Sequence, residues 1–512
     1  MINVLTDMLE YNAIHYPNKV AVIDNDIAYT NKEIFEMTDR LSSYLKDMSV
    51  NRYDRIGIVM HNCIEHVISI FAIAKIGAIF VSVHPSLTKH QVTHVIENCT
   101  VKYLITLDDK PRCLDGIPES CILQLANIEL MAITKLSACD VNIIDRDVAS
   151  IIYTSGSTGK PKGIMITHSN FIAGAKSVCS YLQLNNEDRV LSILPFNFDY
   201  GLNQLLTCFY INATLIIKHP FTLYEIPYLL HYYEITGLAG IPTIWTQIIH
   251  QRNIKNYSYE KLRYITNSGG GLSSNALELL SESFPQTDIF LMYGLTEAFR
   301  STYLEPKEFS RKKGSIGKAI PNAEVMVIND EGVLCKPYEI GELVTRGAMV
   351  TLGYWGDKNS TEKIFRLNPV IPFELGERDI VVFSGDLGYW DEEGFLFFQG
   401  RKNQMIKRKG YRISPSEIEE VLYKINSIQE CVAFGIKDEM EEEAVIVCVR
   451  ISDRDIGEHL LCKKINQACA EYLPSYMYPT KILFMDEFPK TATGKIDVSK
   501  LKSMQEGKNI DT

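Results

Sequence analysis

The sequence predicts an α/β protein: a large N-terminal domain of layered, mostly parallel sheets and helices, followed by a small α+β C-terminal domain on a hinge. Three observations carry this. From residue 1 to about 400, short apolar runs rich in β-branched residues alternate with longer segments of helical periodicity, the pattern of strand and helix layers. Polar motifs stand where several of those runs end, and ligands of open α/β sheets bind outside the carboxyl ends of strands. Beyond Gly400 a basic connector leads into a compact unit of about the last 110 residues. The domains are therefore expected at 1–401 and 402–512, with the hinge near 401–404.

Taken in order, the elements read as follows. The apolar stretch 67–83 is broken by Lys75 and Gly77 and is shorter than a bilayer span, so it is expected to be a buried helix running into a strand. Residues 148–153 read as a strand that runs into a glycine- and hydroxyl-rich loop, 262–266 as a strand that runs into Asn267-Ser-Gly-Gly-Gly271, and 288–292 as a strand that runs into Tyr293-Gly-Leu-Thr-Glu297. Residues 391–400 read as a turn and strand. Ser414-Pro-Ser-Glu417 has the pattern of a capping box with proline at the first helical position, and Ile418, Val421, Leu422 and Ile425 then line one helical face. Strand-like runs at 431–436 and 444–451 follow, then a helix expected to bury Leu460, Leu461, Ile465 and Ala468, and a loose tail at 507–512.

Composition narrows the class. With 46% hydrophobic and 22% charged residues the 512-residue chain is an ordinary globular composition, and 52 basic against 63 acidic residues give a net charge of -11. Dispersed lysines on an acidic chain disfavour a nucleic-acid surface and point to small molecules or other globular proteins. No basic segment followed by an apolar one opens the chain, so a cytoplasmic protein is expected. The 12 cysteines are scattered singly, which argues against a zinc site or a disulfide framework.

The stretch Tyr153-Thr-Ser-Gly-Ser-Thr-Gly-Lys-Pro-Lys-Gly163 is the most telling. Gly156, Gly159 and Gly163 let backbone N–H groups approach an anion, Thr154, Ser155, Ser157 and Thr158 add hydroxyl donors, and Lys160 and Lys162 add charge. The spacing is not that of a Walker loop, and Pro161-Lys162 stands where the helix of such a loop would begin.

This run resembles the phosphate-loop signature of the adenylate-forming ligases: acyl-CoA synthetases, nonribosomal peptide synthetase adenylation domains and luciferases. The resemblance continues through Leu194-Pro-Phe-Asn-Phe-Asp-Tyr-Gly201, Tyr293-Gly-Leu-Thr-Glu297, Gly341-Glu-Leu with Gly353-Tyr-Trp355, Ser384-Gly-Asp-Leu-Gly388, Gly400-Arg401, Gly410-Tyr-Arg-Ile413 and Pro489-Lys-Thr-Ala-Thr-Gly-Lys495, in the family's order. The wording at 195–204 and 297–303 is similar to AMP-forming ligases of surface-polysaccharide and exosortase gene clusters. The resemblance implies that a carboxylate attacks the α-phosphate of ATP to give an acyl-adenylate and pyrophosphate, and that a thiol then displaces AMP.

By resemblance, Glu297 coordinates Mg2+, Thr296 contacts the α-phosphate side, Tyr293 and the loop bearing Asn267 and Gly269 enclose adenine, Asp386 binds the ribose diol, and Arg401 supports ribose or phosphate. Lys495 serves adenylation, and a rotating C-terminal domain brings the segment of Lys407, Gly410 and Tyr411 in for thiol transfer. Asn403 departs from the Asp or Lys usual at the hinge. For the YGLTE pentapeptide alone, a strand end followed by a capped helix is the competing reading.

The implied acyl pocket is Asp199, Tyr200, Asn203, Ala239, Ile265, Asn267, Met292, Arg300 and Ser301. It is too polar for a long-chain fatty acid, and an aspartate at position 199 suits a substrate ammonium, so a small polar or amino-bearing acid is expected. The alternative is that Asp199 and Arg300 pair with each other. No carrier domain is expected after residue 512, so the thiol is coenzyme A or the pantetheine arm of a separate carrier protein. Competing functions are an adenylate passed to a non-thiol acceptor, a medium-chain acyl-CoA ligase, or a nucleotide-binding protein without turnover.

Overall fold

The computed structural model describes residues 2–107, 111–128, 141–154, 161–376, 379–408, 411–425, 427–438, 442–451, 457–491 and 494–506. They form three sheets. A six-stranded sheet runs in the order Ile122–Gln124, Tyr103–Thr106, Arg55–Val59, Ile79–Val83, Val148–Thr154, Lys162–Thr167. Its neighbours are parallel except the last pair, where Lys162–Thr167 lies antiparallel to Val148–Thr154. A strand therefore follows the phosphate-loop motif, because proline at 161 favours extended backbone.

A 14-stranded sheet holds the rest of the large lobe. Val20–Asp24, Thr214–Ile217, Arg189–Ser192, Gly237–Gly240, Tyr264–Asn267 and Asp288–Tyr293 are joined in parallel. From Thr302–Leu304 to Leu396–Arg401 every pairing is antiparallel. The alternation of strand and helix signals read out to about residue 400 therefore overruns the parallel part of the sheet, since hairpins need no crossover helix.

Helices Ile64–Lys75, His168–Tyr181 and Asp199–Ile211 lie between the two large sheets. One apolar core unites Ile56, Phe80 and Ile152 of the smaller sheet, Val190, Leu215 and Phe290 of the larger, and Phe71, Phe171 and Leu205 of these helices. Covered on both sides, Ile64–Lys75 is apolar almost all round, which is why its sequence reads as a continuous buried run. The expected helix-to-strand reading of that stretch holds.

The third sheet is five-stranded, with Ile406–Arg408, Tyr411–Ile413, Ile428–Asp438, Glu442–Ile451 and Lys481–Phe484, and it has its own core around Ile418, Leu422, Val447 and Leu461. Two local expectations are corrected. Ser414 does not close a capping box on the helix Pro415–Leu422, because its hydroxyl donates to the Gln399 carbonyl and meets the Ser416 hydroxyl. On the helix Glu458–Tyr472 the buried positions are Leu461, Ile465 and Cys469, while Leu460 is 53% exposed, since a stripe at three- and four-residue spacing passes it by. No helix of the described residues is long and apolar enough to cross a membrane.

Candidate active site

The site is assembled where parallel strands of the large sheet end. Tyr264–Asn267 delivers the loop Asn267–Gly271, and Asp288–Tyr293 delivers the turn that carries Thr296 and Glu297. That turn does not become a helix, so the competing reading of the pentapeptide fails. The Tyr293 hydroxyl donates to Asp386 Oδ2 at 2.8 Å, and Arg401 Nε lies 3.1 Å from Asp386 Oδ1 without hydrogen-bond alignment. Asp386 and Arg401 are registered neighbours on adjacent antiparallel strands, which brings the three predicted nucleotide residues together. Burial raises the Asp386 carboxyl, opposed by the Arg401 charge.

Glu297 is held from the side of the Gly353–Trp355 motif. Tyr354 donates its hydroxyl to Glu297 Oε1 at 2.6 Å, and the Thr351 N–H and hydroxyl each reach the Glu297 carbonyl at 3.0 Å. Lys162 contacts the same wall. Its ammonium donates to Ser360 Oγ at 2.6 Å, lies 3.7 Å from Asp357 and sits 5.2 Å from the Tyr354 ring centre. Thr154 ends its strand opposite Lys162. Ser155, Gly156, Ser157, Thr158, Gly159 and Lys160 lie outside the described residues, as does Gly410.

Lys495 enters from the small lobe. Its turn is closed by Thr491, whose N–H reaches the Lys495 carbonyl at 2.7 Å and whose hydroxyl accepts the Lys495 N–H at 3.2 Å. Thr243 of the large lobe donates its hydroxyl to the Gly494 carbonyl at 3.2 Å and docks the turn. The Lys495 side chain then runs over Gly269, where a Cβ would stand 2.9 Å from Lys495 Cε, and its ammonium lies 5.6 Å from the Phe198 ring centre. Burial pulls the Lys495 ammonium below the usual lysine range, while Asp199 and Asp386 oppose the shift and Arg401 and Arg300 add to it. One cation thus faces predicted residues from three separate motifs.

Asp199 is the first residue of the helix Asp199–Ile211. Its Oδ1 accepts the Tyr200 N–H at 2.9 Å; burial raises its carboxyl, opposed by the charges of Arg300 and Lys495 and, less, by the Thr296 side chain. No ion pair joins Asp199 to Arg300 among the described residues, although the Arg300 charge acts on the Asp199 carboxyl, so the predicted mutual pair is reduced to an interaction without contact. Arg300 instead lays its guanidinium 4.3 Å from the Tyr200 ring centre. The Tyr200 hydroxyl meets Thr266 Oγ1 at 2.5 Å, and Ala239 is the registered neighbour of Thr266, so both face the helix. Ile265 therefore points the other way, into the apolar core with Leu238 and Leu277; strand alternation puts Thr266 where the sequence reading put Ile265. Met292 accepts the buried Tyr181 hydroxyl at 2.9 Å, and Ser301 pairs with Thr345 at 3.0 Å. Asn203, buried in the same helix, and Asn267 Oδ1 have no hydrogen-bond partner in the protein.

Lys407 and Tyr411 are exposed on the hairpin of the small lobe, with Tyr411 stacked on Tyr476 at 4.0 Å between ring centres. They are not gathered with the Lys495 cluster. Sequence reasoning missed Thr266, Tyr181 and Asp357; only Tyr354, within an already noted motif, carried a signal.

This arrangement has known counterparts. The AMP-binding enzyme family model matches residues 9–355, and the model for the C-terminal domain of AMP-binding enzymes matches residues 417–495. The chain belongs to the AMP-binding enzyme family. It is 27% identical to a long-chain-fatty-acid–CoA ligase of Bacillus subtilis (strain 168), over 96% of this chain and 93% of that ligase. It is 27% identical to a 2-succinylbenzoate–CoA ligase of Geobacillus sp. (strain WCH70), over 98% of this chain and 97% of the relative. Among solved structures, o-succinylbenzoate CoA synthetase of Bacillus subtilis with its acyl-adenylate intermediate is 26% identical, with a TM-score of 0.84 and coverage of 97% of both chains. The same synthetase with ATP and magnesium is 25% identical, with a TM-score of 0.83, covering 98% of this chain and 99% of that one. The chain is an AMP-forming ligase with the large and small lobes of these enzymes.

Proposed function

We propose that this enzyme joins a small polar or amino-bearing carboxylic acid to coenzyme A through an acyl-adenylate. In the first step a carboxylate oxygen bonds to the α-phosphorus of ATP as the bond to the pyrophosphate leaving oxygen breaks. In the second a thiol sulfur attacks the acyl carbon and AMP leaves. The single observation that carries the reading is the half-buried Lys495, its side chain held over Gly269 and its ammonium facing Asp199 and Asp386 at once. A cation there offsets the negative charge that builds between carboxylate and phosphate, and it acts more strongly in a water-poor site.

The other roles follow from the contacts. Tyr293 and Asp386, already bonded, take the nucleoside, with Arg401 steadying the Asp386 carboxylate. Glu297 presents a partly exposed carboxylate steadied through one oxygen by Tyr354, which fits the hard-oxygen preference of Mg2+. Among the described residues no group of three or more His, Cys, Asp or Glu is arranged to hold a metal, so Glu297 would share the ion with phosphate oxygens. When bound, the ion neutralises phosphate charge. Asp199, buried beside Lys495 and free of an ion pair with Arg300, suits a substrate ammonium.

We place the boundary between lobes at Arg401 and the hinge at 401–404, where an exposed turn that includes Asn403 separates the strands Leu396–Arg401 and Ile406–Arg408. The exposed Lys407 and Tyr411 belong to the face that a rotated small lobe would bring in for thiol transfer. A carrier-bound pantetheine is the second acceptor to try, and the enzyme is assigned to the cytoplasm, where both thiols occur.

The test is pyrophosphate release and thioester formation over a panel of acids with coenzyme A. Lys495→Ala should still bind ATP but release pyrophosphate roughly 10²- to 10³-fold more slowly. A variant as fast as the wild type would refute the role of Lys495, and a wild type silent on every acid would refute the activity.

A further inference from the structure

Resting on the acid-activation reading above, we infer that the acyl chain carries a second, anionic group, a distal carboxylate held by Arg300 and Asn203. Arg300 is only 3% exposed, yet its Nε and Nη2 have no hydrogen-bond partner, and Nη1 reaches no more than the Phe299 carbonyl at 3.4 Å. Asn203 is 1% exposed and both its Oδ1 and Nδ2 are unpartnered. A buried charge with idle donors is costly, and sequences retain one where a ligand completes it.

No neighbour in the wall is free to do so. The hydroxyl of Tyr200 is engaged with Thr266, that of Tyr181 with Met292, and that of Ser301 with Thr345. Asp199 accepts from the Tyr200 N–H and feels the Arg300 charge, but no ion pair joins the two, so it leaves the Arg300 donors idle. The idle Nε and Nη2 are adjacent edges of one planar fork, the geometry that grips both oxygens of a carboxylate. An ammonium at that end would meet like charge, and an apolar tail would leave every one of these groups unsatisfied.

Position sets the length. Lys495 marks the reacting end, Asp199 feels both Lys495 and Arg300, Asn203 lies one turn further along the same helix face, and Arg300 rests on the Tyr200 ring. Four residues of helix rise about 6 Å, an upper bound that matches two carboxyl carbons separated by at most roughly four methylenes. The acid so described is a short dicarboxylate.

The experiment compares butanedioic, pentanedioic and hexanedioic acids with their monoamides, their 2-amino forms and monocarboxylic acids of equal length, each at saturating ATP. Wild type should favour diacid over equal-length monoacid in kcat/KM by about 10²-fold, the scale of a charge-assisted, two-pronged contact. Arg300→Met should cut that ratio by a similar factor, and Arg300→Lys, which keeps the charge and loses the fork, should recover part of it. Melting curves check the fold of both variants, and if Arg300→Met does not fold, Arg300→Lys and Asn203→Leu decide by the same ratio. Turnover of monoacids without a preference for diacids, or a ratio unmoved in the variants that fold, overturns this inference and leaves acid activation standing. Silence on the whole panel together with longer and aromatic acids overturns both.

Discussion

Replacing Gly269 by alanine tests the position of Lys495 through a residue that carries no side chain of its own. Gly269 has a φ of +81°, in the region disfavoured for side chains, so alanine alone costs about 1–2 kcal/mol of stability. A Cβ there would lie 2.9 Å from Lys495 Cε, 3.2 Å from its Nζ and 3.5 Å from Ile241 Cγ2. Ordinary carbon contacts are about 3.5–4.0 Å, so the lysine end must move by roughly 0.6–1 Å. Displacements of that size cost reacting groups on the order of 10²-fold in rate. The assay is ATP–pyrophosphate exchange, read beside nucleotide affinity and a melting curve. Exchange should fall between about tenfold and 10²-fold, with ATP affinity within a few-fold of wild type. Gly271 supplies the control, since nothing lies within 4 Å of its Cβ position and its φ is not in the left-handed region, so Gly271→Ala should exchange normally. Gly269→Ala exchanging at the wild-type rate, or Gly271→Ala failing equally, would refute the claim that Lys495 acts from over this loop.

Three further outcomes follow from the same contacts. Burial lowers the Lys495 ammonium, so the cation is fully present at low pH and is lost as pH rises through a value below the ordinary lysine range; the adenylation rate should show an alkaline limb that Lys495→Arg removes. Tyr354→Phe deletes the hydroxyl that steadies Glu297 and should raise the Mg2+ concentration needed for half-maximal rate by about tenfold, without loss of fold. Burial holds His66 at about 3 and His84 and His168 at about 4, well under the 6.5 of an unfolded chain. The unfolded state therefore takes up protons first, and stability present above pH 6.5 drains away toward pH 4 by as much as about 1.4 kcal/mol per pH unit for each histidine. A urea midpoint unchanged between pH 7 and pH 5 would contradict this.

The parts of the site that were legible in the sequence lie within single motifs at strand ends. Val148–Thr154 and Asp288–Tyr293 announce themselves by apolar runs that stop at glycine and hydroxyl residues, and Lys495 by its own turn. What was not legible depends on register or on partners far apart in the chain. Ile265 and Thr266 exchange roles because the face of Tyr264–Asn267 is fixed by its pairing with Gly237–Gly240, which no local pattern reports. Ser414 has the residue type for a cap, yet a carbonyl 15 positions earlier takes its hydroxyl. The antiparallel run after Thr302 pairs strands as far apart in the chain as Ser315–Ala319 and Leu396–Arg401, so no local pattern reports the change of sheet type.

The return strand at Lys162–Thr167 has one last consequence. Residues 162–167 run as extended backbone and not as a helix, so on the proposed reading they present no helix dipole to the triphosphate, and side-chain cations such as Lys162 supply the attraction. Attraction from such charges is screened across about 10 Å at 0.1 M salt, so nucleotide capture by this ligase should weaken with ionic strength more steeply than in a protein that docks phosphate on a helix end.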